Sequence, residues 1–158
     1  MEKSLRVGLG FGLASGTITT LGLMIGLEAG TSSRIAVLSG IITIAIADAF
    51  SDALGVHIAK ESEGNFTLRE IWRATIVTLL SKMVFAGTFL IPVLLWPLEQ
   101  AVVVAVIWGI IILLVQSFFL AKTNGQKVWP IILEHLLIAF LVIFSTHYLG
   151  RFLNTLFN

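Results

Sequence analysis

Apolar residues run along this chain in five blocks, at about residues 7–28, 35–59, 71–96, 101–121 and 128–153, with short polar stretches between them. A helix needs about 20 such residues to cross a hydrocarbon core of about 30 Å. The pattern therefore predicts an all-α integral membrane protein, with five transmembrane helices forming one domain over residues 1–158. The polar punctuation agrees. Residues 29–34 are so short a connection that the first two spans must be antiparallel neighbours, and residues 60–70 form a polar loop. Thr67 and Glu70 have the spacing of a capping box that opens the third span. Pro92, Trp96 and Pro97 mark its far end, residues 98–100 make a brief turn, and Asn124-Gly125 predicts a turn before the fifth span.

Small and polar residues then distinguish the first three blocks. Gly8, Gly12 and Gly16 recur every four residues in the first, a spacing that lets another helix backbone approach closely. Ser15, Thr19 and Thr20 add hydroxyls that can line a polar path. The second block, within IITIAIADAFSDALGVHIAKESE, carries Asp48 and Asp52. A carboxylate at mid-membrane depth costs roughly 2.5–3.5 kcal/mol on insertion scales. Four residues apart, the two acids share one helix face. Lys82 is a further charge inside the third block.

Measured from the end of each span that lies on the N-terminal side, and at 1.5 Å per residue, Asp48 is ~18 Å deep, Asp52 ~10 Å, Lys82 ~15 Å, Ser15 ~12 Å and Thr19 ~18 Å. One layer thus holds two carboxylates, an ammonium and hydroxyls. Lys82 is the natural charge partner for one acid. The surplus acid must be protonated, bind a cation or face water, and a carboxylate so poised suits ion exchange. The competing reading is a buried ion pair plus a neutral Asp, although burying charges is a poor route to stability. Gln116 and Glu134 lie at ~8–9 Å, and Glu134 is a second-layer candidate for lining the path. His57 suits an interface. His135 points away from its neighbour Glu134, and His147 lies at the far mouth. Met24 and Met83 are expected to be packing residues.

Composition supports the membrane assignment and removes several function classes. Hydrophobic residues make up 57% of the chain and charged residues 12%, against about a quarter charged in soluble domains. A net charge of +1 gives no nucleic-acid footprint. Without cysteine there is no disulfide, thiolate metal site or thiol chemistry. The first block is about twice as long as a signal-peptide core. No nucleophile–base pairing or multi-histidine cluster suggests an enzyme, and no permanently bound cofactor is expected. Lys3, Arg6, Lys60, Arg69, Arg73, Lys122 and Lys127 gather on the N-terminal side, against Arg34 and Arg151 opposite. The positive-inside rule then predicts a cytoplasmic N-terminus and a C-terminus that is outside or lumenal. The expected location is the cell membrane, as a multi-pass protein. An odd number of spans resists division into inverted halves.

Several stretches resemble the vacuolar iron transporter family. GLASGTITTLGLMIGLEAG resembles its first-helix signature, and SDALGVHIAKESE the tail of its second helix. GTFLIPVLLWPL and LGRFL are similar to its third- and fifth-helix patterns, so the likeness runs from about Gly12 to Leu153. The resemblance implies a five-helix fold assembled as a homodimer. It implies export of Fe²⁺ or Mn²⁺ from the cytoplasm, typically against protons, along a path between subunits lined by the first and second helices. The chain departs from the family at its usual ion-binding positions. The family's first-helix Asp falls at Ser15, its second-helix Glu at about Ile44 and its second-helix Met at Asp52. Its long acidic cytoplasmic metal-binding insert is replaced by residues 60–70.

The buried acids, together with what the resemblance implies, point to a small dimeric transporter of divalent metal, with Fe²⁺ or Mn²⁺ as substrate. Asp48 and Asp52 would be the metal-binding acids, with Ser15, Thr19 and Glu134 lining the path and Lys82 as charge partner. Oxygen ligands alone favour hard ions such as Mn²⁺ or Mg²⁺. The alternative is a divergent relative without metal transport that carries another solute or acts as a membrane interaction protein.

Overall fold

A computed structural model describes residues 3–157. Among these residues every regular element is helical. Five helices are long and apolar enough to cross a membrane: α1 (Lys3–Thr31), α2 (Arg34–Glu63), α3 (Leu68–Leu95), α4 (Leu98–Thr123) and α5 (Val128–Phe157). Their outward faces carry exposed Ile, Leu, Val and Phe side chains along the length of the bundle, including Ile46, Phe50, Leu80, Ile107, Leu137 and Phe144. Such a surface fits a hydrocarbon solvent and a multi-pass membrane protein.

The helices run past the apolar blocks into the flanking polar residues, because capping ends them rather than the loss of hydrophobicity. Ser33 caps α2, its Oγ accepting from the Ala36 N–H at 3.3 Å. Gly64, at φ +68°, ends α2 in the left-handed conformation that glycine adopts without cost. Thr67 and Glu70 form the expected capping box at the start of α3. The polar loop expected over residues 60–70 shrinks to residues 64–67, and Leu98 already begins α4. The turn before α4 is Trp96-Pro97 instead. Trp96 is extended (φ −119°, ψ 160°), as a residue before proline prefers. Pro92 also shapes α3: it has no N–H to give the Thr88 carbonyl, and the helix breaks at Phe89.

Helix α1 is the axis of the bundle, and two seams of small residues run along it. Gly8, Gly12 and Gly16 meet Ala74, Thr78, Ser81 and Lys82 of α3. Gly22, Gly26 and Gly30 meet Val142, Thr146 and Gly150 of α5. An alanine methyl at Gly12 would lie 2.6 Å from the Thr78 carbonyl oxygen, and one at Gly150 would press on the Gly26 carbonyl oxygen. Both positions therefore admit no side chain. The close approach expected of the glycine pattern is real, and the partner of its N-terminal half is α3 of the same chain. Between the seams, Leu21, Met24, Val37, Ile41, Phe89, Val93 and Ile112 make an apolar core from α1–α4. Met24 is fully buried in it.

Candidate functional site

Helix α2 is not a uniform α-helix. Residues Ile44–Asp48 form a π turn, closed by an i→i+5 hydrogen bond from the Ala49 N–H to the Ile44 carbonyl. The burial pattern gives the reason. Val37 and Ile41 are buried before the turn, and Ala49, Ala53, Val56 and Lys60 after it. At 3.6 residues per turn, the eight residues from Ile41 to Ala49 would leave their faces ~80° apart. The wider π turn absorbs the surplus, so both halves of α2 face the bundle. Asp48 and Asp52 each precede a buried alanine by one residue. They sit on the lip of that face, and their side chains keep 35% and 20% of their exposure.

Lys82 reaches the acids from α3 and is fully buried. Its stem runs beside α1 where Gly16 has no side chain; a methyl there would stand 3.4 Å from Lys82 Cγ. The ammonium donates to Asp48 Oδ2, to Asp52 Oδ2 and, at 2.9 Å, to Ser15 Oγ. An ammonium has three donors, and all are used. Ser15 in turn donates to Asp52 Oδ2 at 2.5 Å. Three helices thus meet at one nitrogen. Two carboxylates and one ammonium leave a formal charge of −1, and neither Oδ1 has a hydrogen bond among the described residues.

A groove of about 520 Å³ lies closer to the end of the bundle where α1 begins. Its walls are Val7 and Phe11 of α1, then Gly55, Val56 and Ala59 of α2, with Lys60, Glu63 and Phe66 at the mouth. Phe11 lies one turn before Ser15, and Gly55 and Val56 one turn after Asp52, but Ser15, Asp48, Asp52 and Lys82 do not line the groove themselves. Lys60 is nearly buried, its ammonium 3.7 Å from the centre of the Phe66 ring. At the opposite end, a smaller pocket of about 290 Å³ is bordered by Glu28, Ser32, Pro97 and Glu99.

Of the residues singled out by sequence, Asp48, Asp52, Lys82 and Ser15 come together. Thr19 does not join them: it is exposed, and its hydroxyl donates to the Ser15 carbonyl. Thr20 is buried and donates to the Gly16 carbonyl at 2.6 Å. Glu134 is exposed on α5, which packs chiefly on α1 and α4, and it does not join the cluster. His135 turns the other way, its Nδ1 2.7 Å from Ser117 Oγ. His57 pairs with Thr75 Oγ1 at 3.0 Å and meets the Trp72 ring edge-on. Gln116 donates to the Gly10 carbonyl at 2.6 Å and so ties α4 to α1. Among the described residues, no group of three or more His, Cys, Asp or Glu side chains could hold a metal ion.

Sequence reasoning missed the π turn and the sharing of Lys82 by both acids. The first had a signal: the rhythm of Val37 and Ile41 falls out of step with Ala49 and Ala53 unless one residue is absorbed between them. Compared with family models, curated proteins and solved structures, the chain finds no match.

Proposed function

We propose that this chain is a membrane transporter of cations, with a divalent metal such as Mn²⁺ or Fe²⁺ as its cargo and Asp48 and Asp52 as the binding acids. One observation carries the proposal. Two half-buried carboxylates share a single ammonium, and one oxygen of each is left without a hydrogen bond among the described residues. Ionisable groups in a spanning helix are costly to bury and commonly mark ion pathways. The resemblance of the first and second helices to the iron transporter family supports the same reading and supplies the cargo. The excess of Lys and Arg at the groove's end makes that end cytoplasmic by the positive-inside rule. A second copy of the chain, set against the lip of α2, would enclose the free carboxylate edges in a shared path.

Mn²⁺ flux into proteoliposomes tests the assignment. Asp48→Asn and Asp52→Asn are each expected to lower flux at least tenfold, the loss of about 1.4 kcal/mol or more of binding. Wild-type flux in both variants would sink it.

A second reading is favoured by Lys82 itself, which fills the space between the acids where a metal ion would sit. On that reading the chain has lost metal transport and serves as a carrier of another solute or as a membrane interaction protein. Wild-type proteoliposomes that move neither Mn²⁺ nor Fe²⁺ would decide for it.

A further inference from the structure

We propose that Lys82 is a tethered cation: its ammonium holds the cargo's place, and an arriving metal ion must displace it to reach both carboxylates. The inference rests on the cation-carrying reading above and adds the regulation of that site.

The surroundings of Lys82 Nζ are those of a bound cation. It is ringed by oxygens of Asp48, Asp52 and Ser15, delivered by two helices other than its own. Only one oxygen of each carboxylate faces it. The Oδ1 atoms make no hydrogen bond among the described residues, and both acids are partly exposed, so an incoming ion has a first foothold while Lys82 is still in place. Lysine suits this role and arginine does not. A lysine ammonium is a point charge on a flexible four-carbon stem, able to swing aside while α3 stays fixed. A guanidinium would grip both carboxylates with paired hydrogen bonds. Ser15 both accepts from Lys82 and donates to Asp52, so its oxygen stays beside the acids once the ammonium has left. The fully buried stem, packed against Gly16, keeps the ammonium close enough to return when the ion departs.

A purely structural lysine and a tethered cation predict opposite effects of its removal. If Lys82 only holds the helices together, Lys82→Met disorders the acids and weakens metal binding. If it competes with the metal, Lys82→Met binds more tightly, by about 5- to 150-fold, the usual span of coupling between two binding events. Lys82→Arg binds more weakly than wild type. The experiment is Mn²⁺ binding to the full chain in detergent for these two variants and wild type, read by calorimetry or by the Mn²⁺ paramagnetic signal. Affinity falling in the order Met, Lys, Arg supports the proposal; a Met variant no tighter than wild type overturns it.

Should Lys82→Met unfold without metal, it is purified in Mn²⁺ and its thermal unfolding followed as Mn²⁺ is varied. A rise in Tm with Mn²⁺ that clearly exceeds the wild-type rise supports competition, because at a given concentration a ligand that binds the folded state more tightly stabilises it more. An equal or smaller rise overturns it. The transport reading fails separately. Flux that depends on Asp48 and Asp52, without tighter binding in Lys82→Met, would keep transport and remove the tether. Tighter binding without any wild-type flux would keep the tether and remove transport.

Discussion

The two seams along α1 use the same device for different ends. In both, glycines let a neighbouring backbone come close, which drives helix association in a membrane through van der Waals contact. The seam with α5 holds no charged side chain, and its polar groups bond only to backbone: the Thr146 hydroxyl to the Val142 carbonyl of its own helix, and the Asn154 amide to the Gly30 carbonyl at 2.7 Å. It is a clamp. The seam with α3 presents Thr78, Ser81 and Lys82, and here the close approach delivers a charged side chain to a serine on α1 and two acids on α2. The contrast teaches that a run of glycines announces contact, while the residues of the partner helix decide whether the contact also carries chemistry.

Substitutions that act on one seam and spare the other would break this contrast or sharpen it. The largest loss of stability is expected from Lys82→Met in metal-free detergent, about 3–5 kcal/mol, because a buried pair loses one partner and leaves the acids unbalanced. Thermal or denaturant unfolding with a chelator present would measure it. Next are Gly12→Val and Gly150→Val, each of which forces a side chain against backbone and costs about 1–3 kcal/mol or more. The two should then part company. Mn²⁺ flux per folded molecule is expected to fall in Gly12→Val, which pushes α3 and Lys82 away from Ser15, and to hold in Gly150→Val. Equal flux losses would mean that the α5 seam also shapes the site. Ser15→Ala should cost about 0.5–1.5 kcal/mol, one hydrogen-bonded hydroxyl, with a smaller loss of flux than either Asp variant. Glu134→Gln, at an exposed position outside the cluster, should leave stability within about 0.5 kcal/mol and flux unchanged.

How legible each feature was in the sequence follows from what sets it. The five spans could be read because a hydrocarbon core imposes a length and excludes charge. Their ends could not, because Ser33, Gly64 and the Thr67–Glu70 box end the helices by local hydrogen bonding and backbone conformation. Asp48, Asp52, Lys82 and Ser15 could be assembled from depth and helix spacing alone. Depth did not tell that Thr19 and Glu134 stand outside this cluster, since a residue's height in the bilayer leaves the rotation of its helix open. Pairing one ammonium with one acid was too simple as well. Acids one turn apart on a face both fall within reach of a nitrogen placed between them, and which helix supplies that nitrogen is a matter of packing.

The π turn of α2 has a consequence for chain length. Because Ile44–Asp48 absorbs a surplus residue, α2 is one amino acid longer at that point than its two buried faces require. Deleting Ala45 would leave Ile41 and Ala49 seven positions apart instead of eight, about two regular turns, and the helix could close into an unbroken α-helix with both faces still inward. The acids would keep their lip. What the deletion would remove is the irregular backbone immediately before Asp48, and π turns of this kind recur at functional sites. A shortened protein that folds as well as the parent but moves no ion would locate the value of that extra residue in motion rather than in packing.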